Sequence, residues 1–462
     1  MIADNLQAIS PLDGRYQSKT SQLSKYFSES ALITYRIKIE LAYLKLLSKY
    51  QVIRPLTSSE QSLLDTLSQP NITYCRQVKK LEEETHHDVK AVEYFLQKKL
   101  QKSSLSDIIS FLHFGITSDD VNNLAYRSMT KDSLKQVLIP QLLQVLENLN
   151  TLALRYVQIP MLARTHGQPA IPTTFGKELI LFALRLQPLL TKLTRFKFVG
   201  KLNGAIGAYH ALAFTYPKIN WPQFSQDFCK ELDFDCNELT SQINFPDDFL
   251  ELFSLFERIN GVLLDLNQDL WRYISDDWLM QKGKEKYVGS STMPQKVNPI
   301  EFENSEGNLV LANGFFETFI RKLPISRLQR DLSESTVWRN VGSAFSYCLL
   351  AYQSLQKGLD SISVNESIMQ QALNQNWNIL AEAWQTLART TGDSKAYERV
   401  AGIAKQKKIT AKDWQQLTKD CDPKLAKLKP ETYLGLSVLL TRKKSKQVSI
   451  FINNMKKRGN YV

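Results

Sequence analysis

Apolar residues recur at helical steps along most of the chain. Between Ser28 and Tyr50 the positions Leu32, Ile33, Ile37, Leu41, Leu44 and Leu47 form one stripe with charged residues between them. From Asp88 onward Val89, Val92, Phe95, Leu96 and Leu100 repeat the spacing. Thr57, followed by Glu60, has the form of a capping box and predicts a further helix start. Stretches 124–156, 174–199, 249–274, 304–323 and 335–359 each leave room for a helix longer than the average of about 11 residues. Pro140 and Pro188 are expected to kink or interrupt two of them, because proline lacks the amide that the helix ladder needs. Alternating apolar and polar positions, the mark of strands, are scarce. Long amphipathic segments in series predict an all-α protein built on a helical bundle. Polar stretches at 102–104 and 360–365 set the expected boundaries: a helical domain over 1–112, a long central bundle over 113–364 and a second helical domain over 365–462.

Composition narrows the partners. The 462 residues leave room for about three domains, and a net charge of +12 favours anionic partners without choosing among nucleic acid, membrane and a polyanionic metabolite. Two basic clusters, Arg442-Lys443-Lys444 and Lys456-Lys457-Arg458, are short and lack interleaved aromatics. They read as solvated helix faces, so no nucleic acid is expected. No apolar run reaches about 18 residues, and the first residues are neither basic nor followed by an apolar core, so neither a membrane span nor a signal peptide is expected. The five cysteines are scattered and contain no Cys-x-x-Cys pair, which favours a reducing cytoplasm over a disulfide framework.

The residues able to do chemistry are concentrated in a few blocks. The run Gly289-Ser290-Ser291-Thr292-Met293-Pro294-Gln295-Lys296-Val297-Asn298-Pro299 puts hydroxyls and backbone amides beside a cation and a polar side chain. Four of the five histidines sit in other blocks: His86 and His87 before Asp88, His113 ahead of Thr117 and Ser118, and His166 beside Gly167, where a turn would expose its ring. His113 reads equally well as a satisfied interior group, Thr117 and Ser118 as simple helix caps, and His210 as structural. Adjacent His86 and His87 diverge and no His-Glu-x-x-His spacing occurs, so no metal is expected. Arg15, Arg330 and Arg339 carry forks that match phosphate or carboxylate oxygens. Ser335 and Thr336, at an expected helix start, would add hydroxyls and free amides, a seat for phosphate.

The 289–299 run resembles the signature of the fumarase/aspartase superfamily, whose members eliminate an amine or water from a succinyl group to release fumarate. Further blocks resemble the adenylosuccinate lyases of the longer bacterial type: Ser10-Pro11-Leu12-Asp13-Gly14-Arg15-Tyr16, Thr85-His86-His87-Asp88-Val89, His113 to Asp120, Arg164-Thr165-His166-Gly167-Gln168-Pro169-Ala170, Lys201 to Gly207, and the two arginine blocks 326–331 and 335–339. The resemblance runs from about residue 10 to 340 and is looser beyond. The reaction it implies needs a base for a carbon acid, donors for the carbanion and an acid for the leaving nitrogen. Those roles fall to Ser290, to Lys296 and Asn298, and to His166. Substrate would be bound by Arg15, Tyr16, His86, His87, Asp88, His113, Thr117, Ser118, Gln242, Arg330, Ser335, Thr336, Arg339 and, mainly through backbone, Val337 and Trp338. The resemblance implies a small-molecule substrate (a succinylated purine nucleotide), no cofactor, and a homotetramer with active sites shared between subunits. Two positions depart from the family: Gln295 stands where many relatives have histidine, and Pro246 stands where longer bacterial relatives have another. Argininosuccinate lyase and a catalytically silent relative of the same fold stay open as alternatives.

Overall fold

The computed structural model describes residues 5–282, 292–406 and 408–458. Its axis is three antiparallel helices. Asp247–Ser275 has 29 residues, which at 1.5 Å per residue is roughly 43 Å. Ile300–Lys322 returns beside it, and Val341–Ser361 runs out again. The direction is fixed by side chains: Phe253 stacks on Phe316 at 5.4 Å near one end, and Trp271 donates to Glu303 at 3.1 Å near the other. Buried asparagines hold the register. Asn260 donates to Asn313 at 2.8 Å and accepts from Tyr352 at 2.7 Å, and Asn267 donates to Ser305 at 3.0 Å. Inside an apolar core such groups are costly unless paired, so each permits one alignment of its helices.

A fourth rod is built from Ser118–Ser133 and Ile139–Arg155, joined by one π turn over Leu134–Leu138. The Ile139 amide reaches back five residues to the Leu134 carbonyl, which widens the backbone just ahead of Pro140 and accommodates its missing donor. Phe175–Leu193 returns alongside and passes through Pro188 without a break, so of the two expected interruptions only the one at Pro140 is found. The stretch expected as one helix over 335–359 is two, Ser333–Trp338 and Val341–Ser361, separated at Arg339 and Asn340. The last helix, Ser437–Arg458, lies back along this part of the bundle, where Asn150 donates to Ser449 at 2.9 Å and Lys456 pairs with Glu147 at 2.6 Å.

The few strands form two-stranded pieces of sheet. One is a hairpin, Pro160–Thr165 with Gln168–Thr174, that the hydrophobic pattern does not announce. Its loop is His166-Gly167, with φ of 52° and 72°. Two successive left-handed residues between paired Thr165 and Gln168 make the turn type that matches strand twist.

The bundle has two distinct ends. At the end where Asp247–Ser275 begins lie the start of the Ser118–Ser133 helix, the 199–207 loop, the 237–246 segment and residues 323–340. Arg127 pairs with Asp248 at 2.8 Å, and Asn244 donates to Asp119 at 3.0 Å. At the opposite end lie the hairpin and the strand pair Leu279–Gln281 with Ile362–Val364. There Arg164 stands over the Trp278 ring at 5.7 Å, and Gln281 donates to the Val297 carbonyl at 3.2 Å.

The first end is organised around Asp120, wholly buried, which accepts from the amides of Thr117 at 2.8 Å, Asn203 at 2.9 Å and Gly204 at 3.1 Å and pairs with wholly buried Lys201 at 3.1 Å. Gly207 turns the following loop at φ 72°, with a β-carbon there coming within 2.2 Å of the Thr240 carbonyl oxygen. Lys201→Met is expected to leave Asp120 a buried carboxylate without its cation and to cost about 3–5 kcal/mol, read as a lower urea midpoint. A midpoint equal to the parent's would show that the amides alone satisfy Asp120.

Candidate active site

The sequence-designated residues fall into four groups. In the first, Asp88 Oδ2 receives Arg36 Nη2 at 2.6 Å and Arg339 Nη2 at 3.2 Å. Burial works against the Asp88 charge, but Arg36 and the Val89 amide outweigh it and hold the carboxyl below its usual range. His87 caps the Asp88–Leu100 helix: its Nδ1 accepts the Lys90 amide at 3.1 Å, so the neutral ring carries its proton on Nε2, and the side chain is 52% exposed. His86 ends the preceding helix in a left-handed conformation, φ 52°, and is exposed.

The second group is Arg330, Gln242, Ser335 and Trp338. Arg330 Nη1 donates to Gln242 Oε1 at 3.1 Å, and Gln242 donates in turn to the Ala205 carbonyl at 3.0 Å. Ser335, Trp338 and Arg330 line one narrow cavity with Asp119 and Pro246. Trp338 buries its ring against Tyr126 at 5.5 Å and Phe249 at 4.6 Å. The helix starts at Ser333, two residues earlier than expected, and the Ser335 amide is already spent on the Leu332 carbonyl at 3.1 Å. An oxyanion here would therefore meet the Ser335 hydroxyl but not a free Ser335 amide. Thr336 is exposed beside it and Val337 half-buried.

The third group is His113, Thr117 and Ser118. His113, left-handed at φ 56°, shares Nδ1 with Glu40 Oε1 at 2.6 Å and gives its amide to Glu40 Oε2 at 3.2 Å. Burial opposes the imidazolium, yet the Glu40 hydrogen bond and charge prevail and raise its pKa above the ordinary 6.5. Thr117 caps the Ser118–Ser133 helix, with Asp120 accepting its amide. These three groups share the first end of the bundle.

The fourth group is at the opposite end. His166 is exposed on the hairpin tip, and Lys296 and Asn298 precede the Ile300–Lys322 helix, Lys296 exposed and Asn298 half-buried. Ser290 lies outside the described residues. Arg15 and Tyr16 belong to neither end. Tyr16 caps Gln17–Phe27, which runs antiparallel to Val341–Ser361 with Phe27 stacked on Phe345 at 5.6 Å and the Lys19 carbonyl accepting from Gln353 at 3.4 Å. That carries Arg15 and Tyr16 past the middle of Val341–Ser361, toward its Ser361 end. Within one chain, then, His166 and Lys296 stand about one long helix away from Arg330 and Arg339.

Sequence reasoning missed the partners that set these groups: Arg36, Glu40, Asp119 and Glu334. Asp119 lies inside the 113–120 block already singled out, and Glu334 falls in the short gap between the 326–331 and 335–339 blocks, so for these two position was a signal. Arg36 and Glu40 sit on a helix whose apolar stripe hides them.

Comparisons with known proteins agree with this architecture. A family described as lyase matches residues 14–314, and one described as adenylosuccinate lyase C-terminal matches 326–434. The adenylosuccinate lyase of Legionella pneumophila subsp. pneumophila is 43% identical over 453 residues, covering 96% of this chain and 99% of that protein. That of Escherichia coli (strain K12) is 38% identical, covering 95% and 99%. In fold, the chain superposes on a 3-carboxy-cis,cis-muconate lactonizing enzyme from Pseudomonas putida with a TM-score of 0.76 at 18% identity, covering 93% of this chain and 97% of that one. A fumarate lyase from Mesorhizobium sp. BNC1 gives 0.77 at 16%, covering 92% and 97%. These relations define an all-helical lyase of the fumarase/aspartase superfamily. Within that superfamily the chain belongs to the adenylosuccinate lyases. Among the described residues no helix is long and apolar enough to cross a membrane.

Proposed function

We propose that the enzyme splits adenylosuccinate into AMP and fumarate, and the succinylated carboxamide ribotide (SAICAR) into its amide (AICAR) and fumarate, as steps of purine nucleotide biosynthesis. The observation that carries the reading is the 38–43% identity to adenylosuccinate lyases along nearly the whole chain. In the mechanism, Ser290 takes the proton from the carbon beside the succinyl carboxylate. Lys296 and Asn298 stabilise the charge that gathers on that carboxylate. The C–N bond then breaks, and His166 delivers a proton to the departing nitrogen from the opposite face. Arg15, Tyr16, Arg330 and the 335–339 segment hold the nucleotide, with Gln242, His86, His87, Asp88, His113, Thr117 and Ser118 completing the binding wall. No metal or organic cofactor enters these steps. Purified protein is expected to consume adenylosuccinate and leave argininosuccinate untouched, followed by ultraviolet absorbance. The reverse preference would sink the assignment.

We further propose a homotetramer with shared sites, built on the three-part division 1–112, 113–364 and 365–462, working in the cytoplasm. Five unpaired cysteines support that compartment. The separation of His166 and Lys296 from Arg330 along a 29-residue helix supports sharing, since one ligand cannot span it. Co-refolding His166→Asn with Arg330→Ala chains tests this. If each site draws these residues from different subunits, roughly a quarter of the sites in a one-to-one mixture have both intact. No recovery above the separate variants would place both residues on one chain.

A further inference from the structure

Arg330 is held from behind. Its Nε donates to Glu334 Oε1 at 3.2 Å and its Nη1 to Gln242 Oε1 at 3.1 Å, while Nη2 has no partner among the described residues. Glu334 follows one turn later and is only 6% exposed, and its second oxygen, Oε2, is buried without a hydrogen-bond partner. It faces the same cavity as Asp119, Asn122, Arg127 and Ser335. Burial raises the carboxyls of both Glu334 and Asp119 above their usual range, with Arg330 pulling each back. The other charges at this place are committed: Arg127 to Asp248 at 2.8 Å and Lys201 to Asp120 at 3.1 Å. A half-satisfied buried carboxylate is costly, and an exposed glutamate at the same helical spacing would neutralise Arg330 without that cost. What burial adds is a fixed direction.

We infer that Glu334 is a positioning residue for Arg330: by clamping Nε while Gln242 takes Nη1, it fixes the guanidinium plane and presents Nη2 to an oxyanion of the bound nucleotide. The inference rests on the proposed role of Arg330 in substrate binding. Ser335 follows Glu334 directly, so one short turn sets both the fork and a hydroxyl beside it. Without the clamp, a long arginine side chain samples many rotamers and gives up that freedom on binding.

Glu334→Leu and Glu334→Gln keep the side chain's approximate volume and differ in whether an acceptor for Nε remains. Removing one partner of an ion pair is costly when the other is left buried and unpaired, but Arg330 is 20% exposed and keeps its bond to Gln242, and a thermal melt of each variant checks that folding survives. Glu334→Leu is expected to raise KM for adenylosuccinate and the calorimetric Kd for AMP by about tenfold, with kcat within about threefold. Glu334→Gln is expected to recover most of the loss. On an Arg330→Ala background neither substitution should weaken binding further. Equal losses from Leu and Gln, or a Leu effect that persists without Arg330, would overturn the positioning role while leaving substrate binding by Arg330 intact. Unchanged binding in Arg330→Ala alone would remove both.

Discussion

Ser290→Ala is expected to lower kcat for adenylosuccinate by about 10³-fold or more, with the substrate still binding. The scale follows from the reaction. The proton to be removed sits on carbon, and the carboxylate beside it is already negative, so the intermediate carries two charges on one small group. A general base alone contributes typically ~10²–10⁴-fold. A hydroxyl is a weak base unless its anion is stabilised, and Lys296, six residues on, is the one cation of the 289–299 block. Calorimetry on the inactive variant separates two roles: retained affinity marks a base, whereas affinity lost along with turnover marks an anchor.

Substitution of His166 is the second large effect. Removing a general acid is expected to cost at least about 100-fold in kcat. The hairpin complicates alanine, because His166 is left-handed at φ 52°, a conformation alanine resists and asparagine tolerates. The two substitutions therefore ask different questions. Both His166→Ala and His166→Asn remove the proton donor, but only alanine strains the turn. Comparable losses in the two variants identify proton transfer as the missing function. Activity restored by asparagine would show that the residue serves the turn, and the acid would have to be sought elsewhere.

Much of this molecule is legible in its residue pattern, for definite reasons. Helices such as Asp247–Ser275 carry Leu252, Phe253, Phe256, Ile259 and Leu263 at the spacing that only a helix can bury on one side. The Thr57–Glu60 capping box is present as expected. The hairpin around His166 is hidden because Pro160, Pro169 and Pro172 interrupt any strand alternation. Its one local signal is the His-Gly pair, a weaker form of the Asn-Gly that marks such turns. The break at Arg339 and Asn340 is hidden too, since Val337, Val341 and Ala344 continue an apolar rhythm across it. Motifs named separately proved to be neighbours, among them Asp120 with Lys201, Arg330 with Gln242, and Asp88 with Arg339. Periodicity says which face is buried but not which end of a rod a loop reaches, so the division of the site between two ends emerges only from the folded chain.

That division makes residue number along the rod a chemical variable. Deleting four residues from the middle of Asp247–Ser275 would draw its ends together by about 6 Å and turn them by about 40°, with every side chain at both tips untouched. To keep the bundle in step, matching cuts would be needed in Ile300–Lys322 and Val341–Ser361. The middle of the bundle thus acts as a gauge block: its composition is open to repacking, while its length sets how far apart the two groups of proposed site residues stand.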